Sequence, residues 1–159
     1  FATLWSTTLI QHRDKLKPEV IWNIERGLNL DVTNLMDAER LRSQLRLGMI
    51  DFLQKYDFLN TPTAPVSPPP YQERYVKSIE GIENQSYIDW LALGYTVSVT
   101  GCPAVSIPCG FTSDGLPVGI QIIALPYNEV GLLSFAAWIE QVFDLPSILS
   151  LNNFEEQSL

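Results

Sequence analysis

The side chains that could act as nucleophile, base or metal ligand are few: one histidine, two cysteines, and serines and lysines scattered along the chain. His12 is followed by Arg13 and Asp14, and a Ser-His-Asp relay would need a serine held against its imidazole. No serine stands in a G-x-S-x-G elbow, and Ser67, Ser78 and Ser98 lack a lysine at a spacing that marks a pair. His12, on a polar helical stretch, reads as a surface residue rather than a general base. One histidine and two separated cysteines form no recognisable metal-ligand pattern. Cys102 and Cys109 fall in a segment that reads as a hairpin. On extended backbone, at ~3.3 Å per residue, they would lie over ~20 Å apart, beyond disulfide reach. They read as small buried hydrophobes in a reducing compartment. These residues point to no catalytic set, no metal and no cofactor.

Composition narrows the classes further. A fold of 159 residues buries ~70% of the surface its unfolded chain exposes, enough for one domain. No apolar run approaches the ~20 residues that span a bilayer, so a membrane protein is not expected. A formal charge of −8 argues against a Lys/Arg surface that neutralises phosphates, so no nucleic-acid partner is expected. The sequence opens on Phe1, and FATLWSTTLIQ has neither the basic start nor the small-residue cleavage site of a signal peptide. The expectation is a chain entered mid-sequence.

The elements that would position a site follow from periodicity. Pro18 suits a first helical turn, with Val20, Ile21 and Ile24 on one face and Gly27 where a left-handed C-terminal cap would fall. A longer helix, capped by Thr33 or Asn34, should carry Leu41, Leu45, Met49, Phe52, Leu53 and Tyr56 over about six turns. Arg40, Arg42 and Arg46 fall largely off that stripe, beside Glu39, and read as a solvated face. Phe58 to Asn60 suggest a short strand leading into TPTAPVSPPPY, residues 61–71, a proline-rich connection that should be extended and semi-rigid. Tyr87, Ile88, Leu91 and Tyr95 suggest a turn or two of helix. Val105, Ile107 and Cys109 alternate with Ala104, Ser106 and Pro108, Asp114-Gly115 supplies turn chemistry, and Val118, Ile120, Ile122 and Ala124 begin the return. Both hairpin faces are largely apolar, so at least one strand should be buried on both sides. Pro108 cannot donate a ladder hydrogen bond, which places it at an edge or a bulge. Asn128 can cap a helix carrying Leu132, Phe135, Ala136, Ile139, Val142 and Phe143, ending before Pro146. Strand, turn, strand, helix is an α/β element.

The run GCPAVSIPCGFTSDGLPVGIQIIA, Gly101 to Ala124, closely resembles the C-terminal signature of amidase-signature hydrolases. KPEVIWNIERGL from Lys17, DAERLRSQL from Asp37 and YDFLNTPTAPVSPPP from Tyr56 resemble successive landmarks of the same family in order and rough spacing. The resemblance implies an α/β/α sandwich with a mixed central sheet, of which residues 1–159 are the C-terminal segment. It also implies that the family's Ser-Ser-Lys set, in a glycine- and serine-rich loop, lies upstream, so no catalytic residue is assigned here. The segment matching Tyr95 to Pro103 approaches the substrate in the family, which makes Thr96, Val99, Thr100, Gly101 and Cys102 candidates for the pocket wall. Each also has an ordinary reading: Thr96 and Val99 as core, Gly101 as a tight turn, Cys102 as filler.

Two departures bear on substrate. Many relatives have Asn where this chain has Ser98. The amidase component of glutamyl-tRNA amidotransferases has an acidic residue near the position that an ungapped match places at Leu91, which disfavours that specialised reading, although a small register shift would bring Asp89 there. The resemblance therefore implies part of a cytoplasmic enzyme hydrolysing a small-molecule carboxamide without cofactor, this chain alone being inactive. Its partner would be the upstream half or a complementary chain. The alternative is a non-catalytic, self-associating module, a homo-oligomer, pairing through faces the missing half would cover. An autonomous hydrolase remains a third reading.

Overall fold

The computed structural model describes residues 1–143. The chain forms two compact units, one of residues 1–47 and one beginning at Gly48. The first is helical. Helices α1 (Ala2–His12) and α2 (Pro18–Leu28) lie against each other, with Leu9 and Ile24 buried. Arg13 pairs with Glu25 at 2.7 Å, and the Arg26 guanidinium sits 5.1 Å from the centre of the Trp22 ring. Pro18 occupies the first turn of α2 as expected. Gly27 does not cap it: the helix runs through Leu28, and Asn29, with φ −90°, follows. Its role is steric, since a Cβ at Gly27 would stand 2.5 Å from the Ala2 Cβ.

Helix α3 (Val32–Leu53) has the expected length and runs from the first unit into the second. Its cap is Asp31, not Thr33 or Asn34. The Asp31 carboxylate accepts the Asn34 N–H at 2.7 Å, while the Asn34 side chain accepts the Asp31 N–H at 3.1 Å. That reciprocal pair satisfies two donors that would otherwise be orphaned. Tyr56 falls beyond the helix. Of the stripe, only Leu53 is buried, Met49 is half-buried, and Leu41, Leu45 and Phe52 are exposed. On the basic face, Arg40 and Arg42 are exposed as expected, and Arg46 is half-buried. Arg40 pairs with Asp37 at 3.3 Å and Arg42 with Glu39 at 2.6 Å. The hydrogen bond to Glu39, and then its charge, raise the Arg42 pKa.

The second unit is an α/β layer structure. Strands β1 (Leu59–Pro62), β4 (Ala104–Phe111) and β5 (Pro117–Ile123) form an antiparallel sheet in the order β1-β5-β4. A separate hairpin joins β2 (Ser78–Ile79) to β3 (Ile82–Glu83) through Glu80 and Gly81, both at positive φ. Helix α4 (Ala92–Thr100) follows a 3₁₀ turn over Asp89–Leu91, and helix α5 (Glu129–Phe143) follows Asn128. The Asn128 side chain lies over Gly131 in the first turn of α5, where any Cβ would fall on it. Pro146 lies outside the described residues.

Because side chains alternate along a strand, β5 feeds two cores. Ile122 joins Ile107 on β4, Ala124, and Leu132, Ala136 and Ile139 of α5. Phe58 adds a stacked contact with Phe135, ring centres 4.2 Å apart. Ile123, on the opposite face, joins Leu53 of α3, Val97 of α4 and Cys102. The sheet is therefore sandwiched between α5 and the α3 end with α4, and its central strand is covered on both sides. Pro108 answers both expectations: β4 is an edge strand of this sheet, and the register skips Cys109 between Pro108 and Gly110. Cys102 lies outside β4, two residues before its start, and both cysteines are free.

Leu132→Ala should lower the unfolding free energy by about 2–5 kcal/mol, because Leu132 is buried in the α5 core. Leu133→Ala, at a residue 60% exposed, should change it by under about 0.5 kcal/mol. Urea unfolding of the two variants checks this, and equal losses would contradict the placement of α5.

Candidate functional site

Two cavities open beside the sheet, one of about 640 Å³ and one of about 500 Å³. They share Thr63, Ala64, Pro65 and Trp90, so the chain just past β1 is a partition between them. The larger is walled by the proline-rich run through Pro69, by Cys109 and by Val118 to Ile120. The smaller is walled by Tyr87, Ile88 and Leu91 and by Leu93, Gly94, Tyr95 and Ser98 of α4.

The partition is held from both ends. The Thr63 N–H donates to the Gly119 carbonyl at 3.0 Å, continuing the β1-β5 ladder past Pro62. The hydroxyls of Thr63 and Ser106 lie 2.6 Å apart, joining β1's extension to β4 across β5. Gly119 makes that crossing open: a Cβ there would come within 2.9 Å of Thr63 Oγ1 and 3.2 Å of the Ile107 carbonyl. One row back, Thr61, Gln121 and Ser106 stand side by side in the sheet, and Gln121 Nε2 donates to Thr61 Oγ1 at 3.1 Å. On the far side, Trp90 sits in the 3₁₀ turn that Asp89 anchors. One Asp89 oxygen accepts the Ser86 N–H and the other its hydroxyl, each at 2.9 Å. The Leu91 N–H closes the turn onto the Ile88 carbonyl at 2.9 Å.

None of the five pocket candidates lines these two cavities. Thr100 is fully buried, its hydroxyl donating to the Val97 carbonyl at 2.6 Å and accepting the Cys102 N–H at 3.3 Å. Gly101, at φ 69° and ψ 19°, ends α4 in the left-handed conformation that favours glycine. Cys102 is buried beside Ile123. Thr96 is half-buried and Val99 is 36% exposed. Of the five, Thr100 and Cys102 are packed inside at the end of α4, whereas Tyr95 and Ser98 reach the smaller cavity. Ser98 donates to the Gly94 carbonyl at 3.2 Å, an ordinary bond back along a helix.

Sequence reasoning missed the partition and Trp90. The partition lies within TPTAPVSPPPY, but a run of prolines carries no period that distinguishes a connection from a cavity wall, and nothing in the run around Trp90 marks it as a cavity residue. Chemically, the lining of the two cavities is mostly apolar, with hydroxyls from Thr63, Ser67, Tyr87, Tyr95 and Ser98. Among the described residues the Thr63–Ser106 pair is the only hydroxyl pair bonded across the sheet. Each hydroxyl has the other as its partner, with no histidine or lysine bonded to either that would activate it as a nucleophile.

The profile of the Amidase family matches residues 3–133. The chain belongs to the Amidase family. Within that family, it is 40% identical to the A component of a glutamyl-tRNA(Gln) amidotransferase from Thermodesulfovibrio yellowstonii, over 65% of this chain and 20% of that one. It is 31% identical to an acylamidase from Rhodococcus erythropolis, over 78% of this chain and 25% of that one. Its fold matches a crystal structure of an amidase with a TM-score of 0.79 at 25% identity, over 89% of this chain and 32% of that one. This Amidase-family chain thus spans about a fifth to a quarter of the length of the curated relatives it matches.

Gly119→Ala should cost about 1–3 kcal/mol by forcing the partition and β4 apart. Gly94→Ala, with nothing within 4 Å of its added Cβ, should gain about 0.5–1 kcal/mol because it sits inside α4. Urea midpoints of the two variants measure the difference, and a stabilising Gly119→Ala would remove the case for a close crossing.

Proposed function

We propose that this chain is the C-terminal segment of a hydrolase that converts a small-molecule carboxamide to a carboxylate and ammonia or an amine. Family membership from residue 3 to residue 133 is the observation that carries the reading. In it, the segment contributes the α/β scaffold and the wall of the substrate pocket. The nucleophilic serine, the second serine and the lysine come from residues outside this sequence, on the same polypeptide or on a complementary chain. A nucleophile and its base act as a unit, so the segment by itself is inactive. Two free thiols suit a reducing compartment, and the enzyme is assigned to the cytoplasm. Among the described residues, no helix is long and apolar enough to cross a membrane.

The two cavities support a pocket-wall role for the segment. Trp90, the partition from Thr63 to Pro65, and Tyr95 and Ser98 contribute surface. Thr96, Val99, Thr100, Gly101 and Cys102 contribute by holding α4 at the cavity's edge, with Thr96 and Val99 the two whose side chains retain access.

A second reading, a self-associating module, draws on the exposed apolar residues of α5, among them Val130, Leu133 and Trp138, since such patches mark interfaces. Light scattering of the purified chain distinguishes it: a dilute monomer that binds no apolar dye removes that reading.

Fluorophosphonate labelling read by intact mass tests the leading proposal, on the chain alone and mixed with a protein carrying the upstream part of a relative. The expected outcome is no label on the chain and a label on the partner in the mixture. A stoichiometric label on this chain would show an activated serine within it and overturn the proposal.

A further inference from the structure

We propose that the paired cavities receive a neutral carboxamide whose acyl part is aromatic or branched aliphatic, and discriminate against amides whose acyl part is charged. This rests on the reading of the segment as the pocket wall of an amide hydrolase. Among the described residues, no Asp, Glu, Lys, Arg or His lines either cavity. The carboxylate closest in sequence to the lining residues, Asp89 between Ile88 and Trp90, has both oxygens bonded to Ser86. An ammonium or carboxylate carried into these cavities would lose hydration and meet no counter-charge. A neutral ring loses little hydration there and gains the flat faces of Trp90, Tyr95 and Pro65. Volumes of about 640 and 500 Å³ fall in the range that encloses small organic ligands.

The discrimination is local, and the chain's overall field opposes it for cations. A formal charge of −8 attracts cations at long range. A cationic amide therefore enriched near the protein would still be rejected at the cavities. That opposition separates pocket chemistry from general electrostatics.

Titration of the ¹⁵N-labelled chain at about pH 6, where an α-amino group is protonated, with 3-phenylpropanamide and with L-phenylalaninamide, which differs from it by the α-ammonium, tests the proposal through the Trp90 indole signal. Trp5, Trp22 and Trp138 serve as internal controls. The neutral amide should shift Trp90 saturably, with an affinity at least about tenfold above that of the cationic one. Leu91→Asp, at a cavity residue 42% exposed, should narrow or reverse that ratio by supplying the missing charge. Equal or tighter binding of phenylalaninamide to the unchanged chain, or no Trp90 response to 3-phenylpropanamide, would overturn the proposal. Hydrolysis is judged separately, on an enzyme assembled with this segment. Retained Trp90 binding without turnover of any amide refutes the hydrolase and leaves the ligand class standing. Faster turnover of phenylalaninamide than of 3-phenylpropanamide refutes the ligand class and leaves the hydrolase.

Discussion

The double burial of β5 is the constraint on which the second unit depends. Ile122 and Ile123 are adjacent in sequence, both fully buried, and face opposite layers. Burial of each such side chain stabilises the fold by about 1.5–3 kcal/mol. More consequentially, a slip of one residue would exchange their faces and break both cores at once. That register places Gln121 beside Thr61 and Ser106, and Gly119 beneath Thr63. The geometry of the cavities is thus downstream of two isoleucines that do not line them.

The next level of organisation is the close passage at Gly119. With no side chain there, the Thr63 and Ser106 hydroxyls meet across the central strand, and the chain beyond β1 is held as a wall. Prolines suit that wall because their φ is already restricted and they leave few N–H groups to satisfy. The bulge at Cys109 works to the same end. Skipping one residue of the ladder turns that side chain toward the larger cavity, a use of irregularity common at functional edges.

The first unit follows simpler rules and shows how a correct residue can be assigned the wrong role. Gly27 follows a run of helical residues, and composition alone favours a left-handed cap there. In the fold it is a contact glycine that lets α2 approach Ala2. Asn34 is near a helix start, but in the fold it supports Asp31 instead of capping directly. In both cases the residue type was informative and the position was off by a few residues, because caps depend on hydrogen-bond partners that periodicity does not specify.

Much of the local structure was legible in the sequence. The α2, α3 and α5 helices, the β4-β5 hairpin, the irregularity at Pro108 and the family resemblance all follow from short-range pattern, since period, turn chemistry and the missing proline N–H are properties of neighbouring residues. The β2-β3 hairpin was not legible, because Glu80-Gly81 adopts positive φ at both turn residues without the usual asparagine signal. Nor were the cavities. Of the candidates from Thr96 to Cys102, Thr100 and Cys102 are buried and none lines either cavity, whereas Thr63, Trp90 and Gly119 do. Cavities are made by residues distant in sequence, and which side chains face them is settled only when strand register and helix packing are satisfied together. The sequence determined the elements and the family; the tertiary structure alone decided which surfaces those elements left open.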